Sequence, residues 1–310
     1  MNDLKPINQT KLFGLDKYIN ELISLDNSNI LPNKILLSGP KGQGKSTLAY
    51  HFINYCLSKD EEFSYNTSTF EIDPKNHTFK TIVNKSNSNL ILIDIDLDKK
   101  FIDINQIRDL ITKLNKSSLN EKPRFVLIDN IEFLNISSIN ALLKCLEEPS
   151  NNIFFFLINN NRKILKTLSS RCLNFKISLS NHESLQISNK LLSKNTYDII
   201  NPDLINYYVT PGIILNLVHF GTVNELDLSN ISLDNFLKDI IKNQHYKKNN
   251  FIKNTIFDFI QLYFRKINLS FSDQIYERYS YFQEKISNTK KFNLDEESLF
   301  MEFNKEILNG

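Results

Sequence analysis

Arginine is scarce in this sequence: six residues in 310, against 31 lysines and 42 asparagines. Asn, Lys and Ile have AT-rich codons, so the bias reads as genome composition, and each arginine position carries correspondingly more information. Cysteine is nearly absent as well. Cys56, Cys145 and Cys172 are odd in number and widely spaced, with no C-x-x-C pair. That excludes a disulfide framework and a four-cysteine zinc site, and it fits a reducing compartment. No long apolar run occurs. The longest, residues 153–158 (IFFFLI), falls far short of the ~20 residues that a membrane-spanning helix needs. The opening MNDLKPINQT has no apolar stretch of the kind a signal peptide carries, so a cytoplasmic protein is expected and no membrane partner. Charge of one sign does not dominate either: 37 basic and 35 acidic residues leave +2, which does not predict a DNA-coating protein but leaves room for a local basic patch. With 41% hydrophobic and 23% charged residues, the chain is neither disordered nor collagen-like, and 310 residues predict two or three domains.

What is present is an alternation of short apolar runs with helical spacings. Runs at 34–38 (KILLS), 90–95 (LILIDI), 125–129 (FVLID), 153–158 and 173–177 predict buried strands. Residues 46–57, 104–114 and 136–148 predict helices, the last stopped by Pro149. Residues 58–89 are polar and irregular and predict a loop region, as does the Lys/Asn-rich stretch 242–253. Strands apolar on both faces, alternating with helices, indicate a parallel sheet covered on both sides. Beyond residue 177 the alternation stops, and helical patterns such as 251–264 and 298–308 take over. The expected division is an α/β domain at 1–177, a small helical lid at 178–225 and a helical domain at 226–310.

Glycine is the third scarcity, with seven in the chain, and three of them lie within residues 39–44. Gly39-Pro40-Lys41-Gly42-Gln43-Gly44-Lys45-Ser46 fits G-x-x-x-x-G-K-[ST], between a predicted strand and a predicted helix. Composition alone would produce about 0.002 such matches per chain. Glycines let successive N–H groups turn toward one anion, and the following helix adds the positive end of its dipole. Lys45 would reach the terminal phosphates of ATP or ADP, Ser46 would ligate Mg²⁺, and Thr47 in the same first turn would donate to phosphate. Asp129, at the end of the 125–129 run, is placed to hold the Mg²⁺ shell. Asn130 follows it where a hydrolytic ATPase of this class carries a glutamate to polarise water. Loss of a general base removes ~10²–10⁴ in rate, so nucleotide binding without efficient hydrolysis is expected. Asn159 or Asn160 is a candidate γ-phosphate sensor. Arg108 would touch DNA or a neighbouring chain, or pair with Asp109 or Glu121. His51 reads as a core residue rather than a catalyst, and Cys145 and Cys172 as packed thiols. Glu147 and Glu148 read as structural contacts at a helix end.

Residues 125–149, FVLIDNIEFLNISSINALLKCLEEP, together with Ser170-Arg171-Cys172 and the IDINQIRDL segment at 102–110, resemble the clamp-loader branch of the AAA+ ATPases. Within it the chain is most similar to the delta-prime group of bacterial DNA polymerase III subunits. The motor group (gamma/tau) would show Asp-Glu at 129–130 and a zinc-binding cysteine cluster after the first helix, where this chain has only Cys56, so no zinc is expected. The turn at Thr210-Pro211-Gly212 resembles the family's sensor-2 turn, but no arginine follows it at Ile213 or Ile214. The phosphate loop, unlike that of some delta-prime subunits, is complete.

The resemblance implies a RecA-like parallel sheet followed by two all-helical domains, the last forming a collar with other subunits. It implies that Arg171 of the Ser-Arg-Cys motif reaches into a neighbour's ATP site as an arginine finger. The implied partners are a gamma/tau-like ATPase, a delta-like subunit and, through the complex, a sliding clamp and primed DNA. The alternatives left open are a self-sufficient P-loop enzyme, whether motor ATPase or small-molecule kinase, and a structural subunit with no nucleotide.

Overall fold

The double-sided apolar strands find two cores, one on each face of a sheet. In the computed structural model, which describes residues 5–96, 99, 101–116, 120–147, 152–267, 273–292 and 294–308, the first elements are α1 (Asp16–Asn27), β1 (Lys34–Ser38), α2 (Lys45–Leu57), α3 (His77–Val83), β2 (Leu90–Ile93), α4 (Ile104–Leu114), β3 (Arg124–Ile128), α5 (Ile136–Glu147), β4 (Ile153–Asn159), α6 (Lys166–Ser169), β5 (Leu173–Lys176) and α7 (Asn181–Leu192). The strands form one parallel sheet in the order β2-β3-β4-β1-β5. Because side chains alternate along a strand, Ile35, Leu37, Leu127 and Phe156 pack with Leu22 of α1 and Leu48 and Phe52 of α2. Their neighbours Leu36, Val126, Phe155 and Leu157 pack on the other face with Leu110 of α4 and Leu142 and Leu146 of α5. Each such side chain, fully buried, contributes roughly 1.5–3 kcal/mol. The sheet order places β1 between the central strand β4 and the edge strand β5, so the turn after β1 lies at the sheet's C-terminal edge, one strand in from its side.

The ends of α4 show what the IDINQIRDL segment does locally. Asp103 and Gln106 form a reciprocal capping box, and Gln106 Nε2 also donates to the Asp94 carbonyl (2.9 Å). Ile107 is fully buried, whereas Arg108 lies on the exposed face. At the other end the Arg124 guanidinium donates to the carbonyls of Lys113, Leu114 and Lys116 at 2.7–3.1 Å, satisfying the open end of the helix.

Two stretches that the sequence predicts as loops contain helices. Within 58–89, α3 forms because Asn76 caps it: Oδ1 accepts from Phe79 N–H (2.6 Å) and Nδ2 donates to the Phe63 carbonyl (2.6 Å). The Glu61 carboxylate accepts from the N–H groups of His77 and Thr78. The polar residues that suggested a loop are themselves the cap.

The chain forms two compact units, residues up to Ile187 with Thr210–Gly212, and Ser188–Val209 with residues from Ile213 onward. No strand occurs after residue 187 among the described residues. The later elements are α8 (Thr196–Ile199), α9 (Pro211–Val223), α10 (Leu233–Lys242), α11 (His245–Lys248), α12 (Asn250–Ile267), α13 (Asp273–Phe292) and α14 (Glu296–Phe303). The core of the second unit is aromatic: Phe264, Phe282 and Phe303 pack mutually with ring centroids 5.5–5.9 Å apart. The 242–253 stretch, expected as a solvated loop, is instead the end of α10, all of α11 and the start of α12. Tyr246 is buried against Phe300, and Asn249 Oδ1 accepts from the N–H groups of Phe251 and Ile252. The segment's polar composition hid one buried aromatic and one cap.

Candidate nucleotide site and the Arg171 face

The loop after β1 depends on backbone geometry that only glycine adopts without strain. Gly42 and Gly44 have φ of +85° and +80°, and Gly44 is the N-cap of α2. A Cβ at Gly42 would lie 2.4 Å from Thr210 Oγ1. That hydroxyl donates to the Lys41 carbonyl (2.8 Å), and Gly212 N–H donates to the Gly42 carbonyl (2.9 Å). The Thr210–Gly212 turn, which supplies no arginine, therefore clasps the loop's backbone. Gly42→Ala is expected to cost about 2 kcal/mol, from left-handed backbone and a displaced hydrogen bond, and to lower Tm by roughly 5 °C in thermal denaturation.

Lys45, the first residue of α2, is 3% exposed, and its ammonium donates to the carbonyls of Gly39 (2.9 Å) and Pro40 (2.6 Å). Burial lowers its pKa to about 8, against the opposing pull of Asp129 and Glu132. The sign of the pH dependence follows. The folded pKa lies below the unfolded one, so the buried charge costs stability at neutral pH, and that cost fades as pH rises from about 8 toward 10.5. A phosphate ligand needs the charged form. Affinity for Mg-ADP is therefore expected to fall as pH rises above 8, by up to about tenfold per pH unit, in calorimetric titrations.

Ser46 Oγ donates to Asp129 Oδ2 at 2.6 Å. Burial pushes the Asp129 carboxyl up; the bond from Ser46 and one from Asn130 N–H (2.8 Å) pull it back down. The hydroxyl and carboxylate predicted as Mg²⁺ ligands thus stand side by side, and an all-oxygen pair suits that hard cation. Nearby, the buried Oε1 of Gln43 has no hydrogen-bond partner among the described residues. Among the described residues no three His, Cys, Asp or Glu side chains gather as a metal cluster, so a cation here would rest on Ser46, Asp129 and the ligand's own oxygens. Thr47 is half-buried in the same turn.

Asn130 has a left-handed backbone (φ 56°) and an amide held on both sides. Its Nδ2 donates to Asp94 Oδ1 (2.7 Å), and its Oδ1 accepts from Asn160 Nδ2 (2.8 Å). Glu132 Oε2 accepts from Asn160 N–H at 3.3 Å. Asn159 turns elsewhere: it is 7% exposed and grips the backbone N–H and carbonyl of Arg162. Of the two sensor candidates, Asn160 is the one joined to Asn130. Asp94 was not among the site residues read from the sequence. It enters because Ile93 pairs in register with Ile128, which sets the ends of β2 and β3 side by side, and strand register was not legible.

Arg171 follows α6 on the way into β5. Its Nη1 donates to the Thr167 carbonyl (2.8 Å) and its Nη2 to Glu147 Oε1 (2.8 Å), with the side chain 36% exposed. Glu148 and Pro149 lie outside the described residues. Burial raises the thiol pKa of Cys56, Cys145 and Cys172, the last to about 11, which keeps them protonated and unreactive. His51 is fully buried beside Tyr65 OH (Nδ1 3.1 Å away), with its pKa lowered by burial to about 4, so it is a neutral interior residue. No helix among the described residues is long and apolar enough to cross a membrane.

Known proteins resemble this chain in sequence and in fold. A sequence model described as DNA polymerase III, delta subunit, matches residues 14–181, more than half of the chain. The DNA polymerase III subunit gamma of Buchnera aphidicola subsp. Schizaphis graminum is 28% identical over 239 residues, covering 74% of this chain and 62% of the relative. The DNA polymerase III subunit delta' of Buchnera aphidicola subsp. Baizongia pistaciae is 31% identical over 153 residues, covering 46% of this chain and 42% of the relative. In both cases the match spans less than two thirds of the relative. The crystal structure of a DNA polymerase III gamma subunit-related protein from Thermotoga maritima superposes with a TM-score of 0.53 at 17% identity, covering 90% of this chain and 96% of the other, which identifies a shared fold.

Proposed function

Because the chain belongs to the DNA polymerase III, delta subunit family, we propose that it is a delta-prime-like subunit of the clamp loader. In this reading it binds ATP or ADP with Mg²⁺ through Gly39–Ser46, Thr47 and Asp129 and hydrolyses it slowly or not at all. It lends Arg171 to the ATP site of a neighbouring gamma/tau-like subunit. With that neighbour and a delta-like subunit it loads a sliding clamp onto primed DNA during replication, and its C-terminal helices join the collar.

The observation that carries this reading is the Asp129–Asn130 pair. The Asp129 carboxylate accepts from Ser46 Oγ, while the next position holds an amide tied to Asp94 and Asn160. An amide cannot take a proton from water, so the general-base step has no agent at that position. Glu132 does not replace it, because it lies two positions further along the chain, where its Oε2 accepts from Asn160 N–H. A motor ATPase remains the competing reading, favoured by the complete phosphate loop and by the gamma-named relative.

Co-expression with candidate clamp-loader subunits tests the proposal. A stable hetero-oligomer that hydrolyses ATP in response to clamp and primed DNA is expected, together with negligible turnover by the isolated chain. Mg-ADP at about 100-fold above its Kd should add ~2.7 kcal/mol to the chain's stability. Motor-like turnover by the chain alone, or no assembly with any such partner, would defeat the proposal.

A further inference from the structure

Two sequence motifs, the helix ending in Leu-Glu at 146–147 and Ser-Arg-Cys at 170–172, meet in one contact. We propose that Glu147 is a positioning residue for Arg171: it holds the guanidinium at a set orientation so that the remaining donors are presented to a phosphoryl group on an adjoining subunit. The inference rests on the arginine-finger reading above.

The geometry supports orientation rather than stability as the role of the contact. Both partners are substantially exposed, 36% for Arg171 and 53% for Glu147, and exposed pairs contribute little to folding. Both nonetheless sit beside buried residues of the fold. Glu147 is the last residue of α5, whose preceding Leu146 is fully buried, and Arg171 follows Leu168 of α6, which is 1% exposed. The guanidinium donates once to the Thr167 carbonyl and once to Glu147, each at 2.8 Å. It carries five N–H donors in a planar fork, so three remain for a ligand as far as the described residues go. An arginine held at two points surrenders less side-chain freedom when it engages a neighbour, which is the usual benefit of preorganisation. The carboxylate also offsets part of the positive charge. Orientation and charge therefore pull the rate in opposite directions, and substitution can separate them.

The experiment uses the assembled complex with clamp and primed DNA, comparing Glu147→Ala, Glu147→Gln and Arg171→Ala. Glutamine keeps an oxygen acceptor for Nη2 but removes the charge, whereas alanine removes both. If Glu147 orients the finger, Glu147→Ala lowers the stimulated kcat by roughly tenfold with KM for ATP unchanged, and Glu147→Gln restores the rate to wild type or above. A second readout needs no partner: in the isolated, 15N-arginine-labelled chain, rotation of the Arg171 guanidinium measured by NMR is slow in wild type and in Glu147→Gln and fast in Glu147→Ala. A Glu147→Ala rate equal to or above wild type overturns the inference, as does equal loss in both Glu147 variants. If Arg171→Ala itself leaves the rate unchanged, the finger reading falls and this inference with it. A deficient Arg171→Ala beside an unaffected Glu147→Ala removes the positioning role alone.

Discussion

Replacing Arg171 with alanine is expected to reduce the clamp- and DNA-stimulated ATPase of the assembled complex by ~10³-fold or more, the scale of an arginine finger's contribution to phosphoryl transfer. Charge builds on the equatorial oxygens of the transferring group, and a guanidinium answers it with a permanent charge and two or more directed N–H donors. Arg171→Lys should be nearly as deficient, because an ammonium keeps the charge and loses the fork. Neither substitution should disturb the fold. The contacts broken are one exposed ion pair and one hydrogen bond to the Thr167 carbonyl, about 1 kcal/mol together. Subunit assembly and Tm serve as controls, and an unaltered steady-state rate would exclude the finger role.

Lys45→Met should have its largest effect on ligand binding. Removing one partner of a buried ion pair costs about 2–5 kcal/mol, so affinity for Mg-ADP should drop by roughly 30-fold to 5,000-fold in calorimetric titration. Stability should change little, because two effects oppose each other. The substitution removes an ammonium whose burial already depresses its pKa to about 8, a gain. It also leaves the Gly39 and Pro40 carbonyls without that donor, a loss of roughly 1–3 kcal/mol each if they stay buried. A methionine variant that bound nucleotide as the wild type does would show that the loop is structural.

Parts of this were legible because they are local. The strand runs, the glycine spacing before Lys45 and the Asp129-Asn130 dipeptide each lie within a few residues of chain, where side-chain period and backbone permissiveness act directly. The polar segments 58–89, irregular except for α3, and 242–253 hold helices that their composition does not show, for a related reason. Asn76 and Asn249 look like loop residues in sequence because the same side chain that caps a helix also suits a turn.

Sequence alone thus determined which groups are on offer: a glycine loop of the phosphate-binding pattern, a carboxylate and a hydroxyl, an amide after the carboxylate, and one arginine in a Ser-Arg-Cys setting. Tertiary structure decided who meets whom. It chose Asn160 over Asn159 as the partner of Asn130, brought Asp94 to the site, set the Thr210–Gly212 turn against Gly42 and paired Arg171 with Glu147. These contacts join residues 24 to 170 positions apart, and they depend on strand register and helix packing that emerge only when both faces of the sheet are covered.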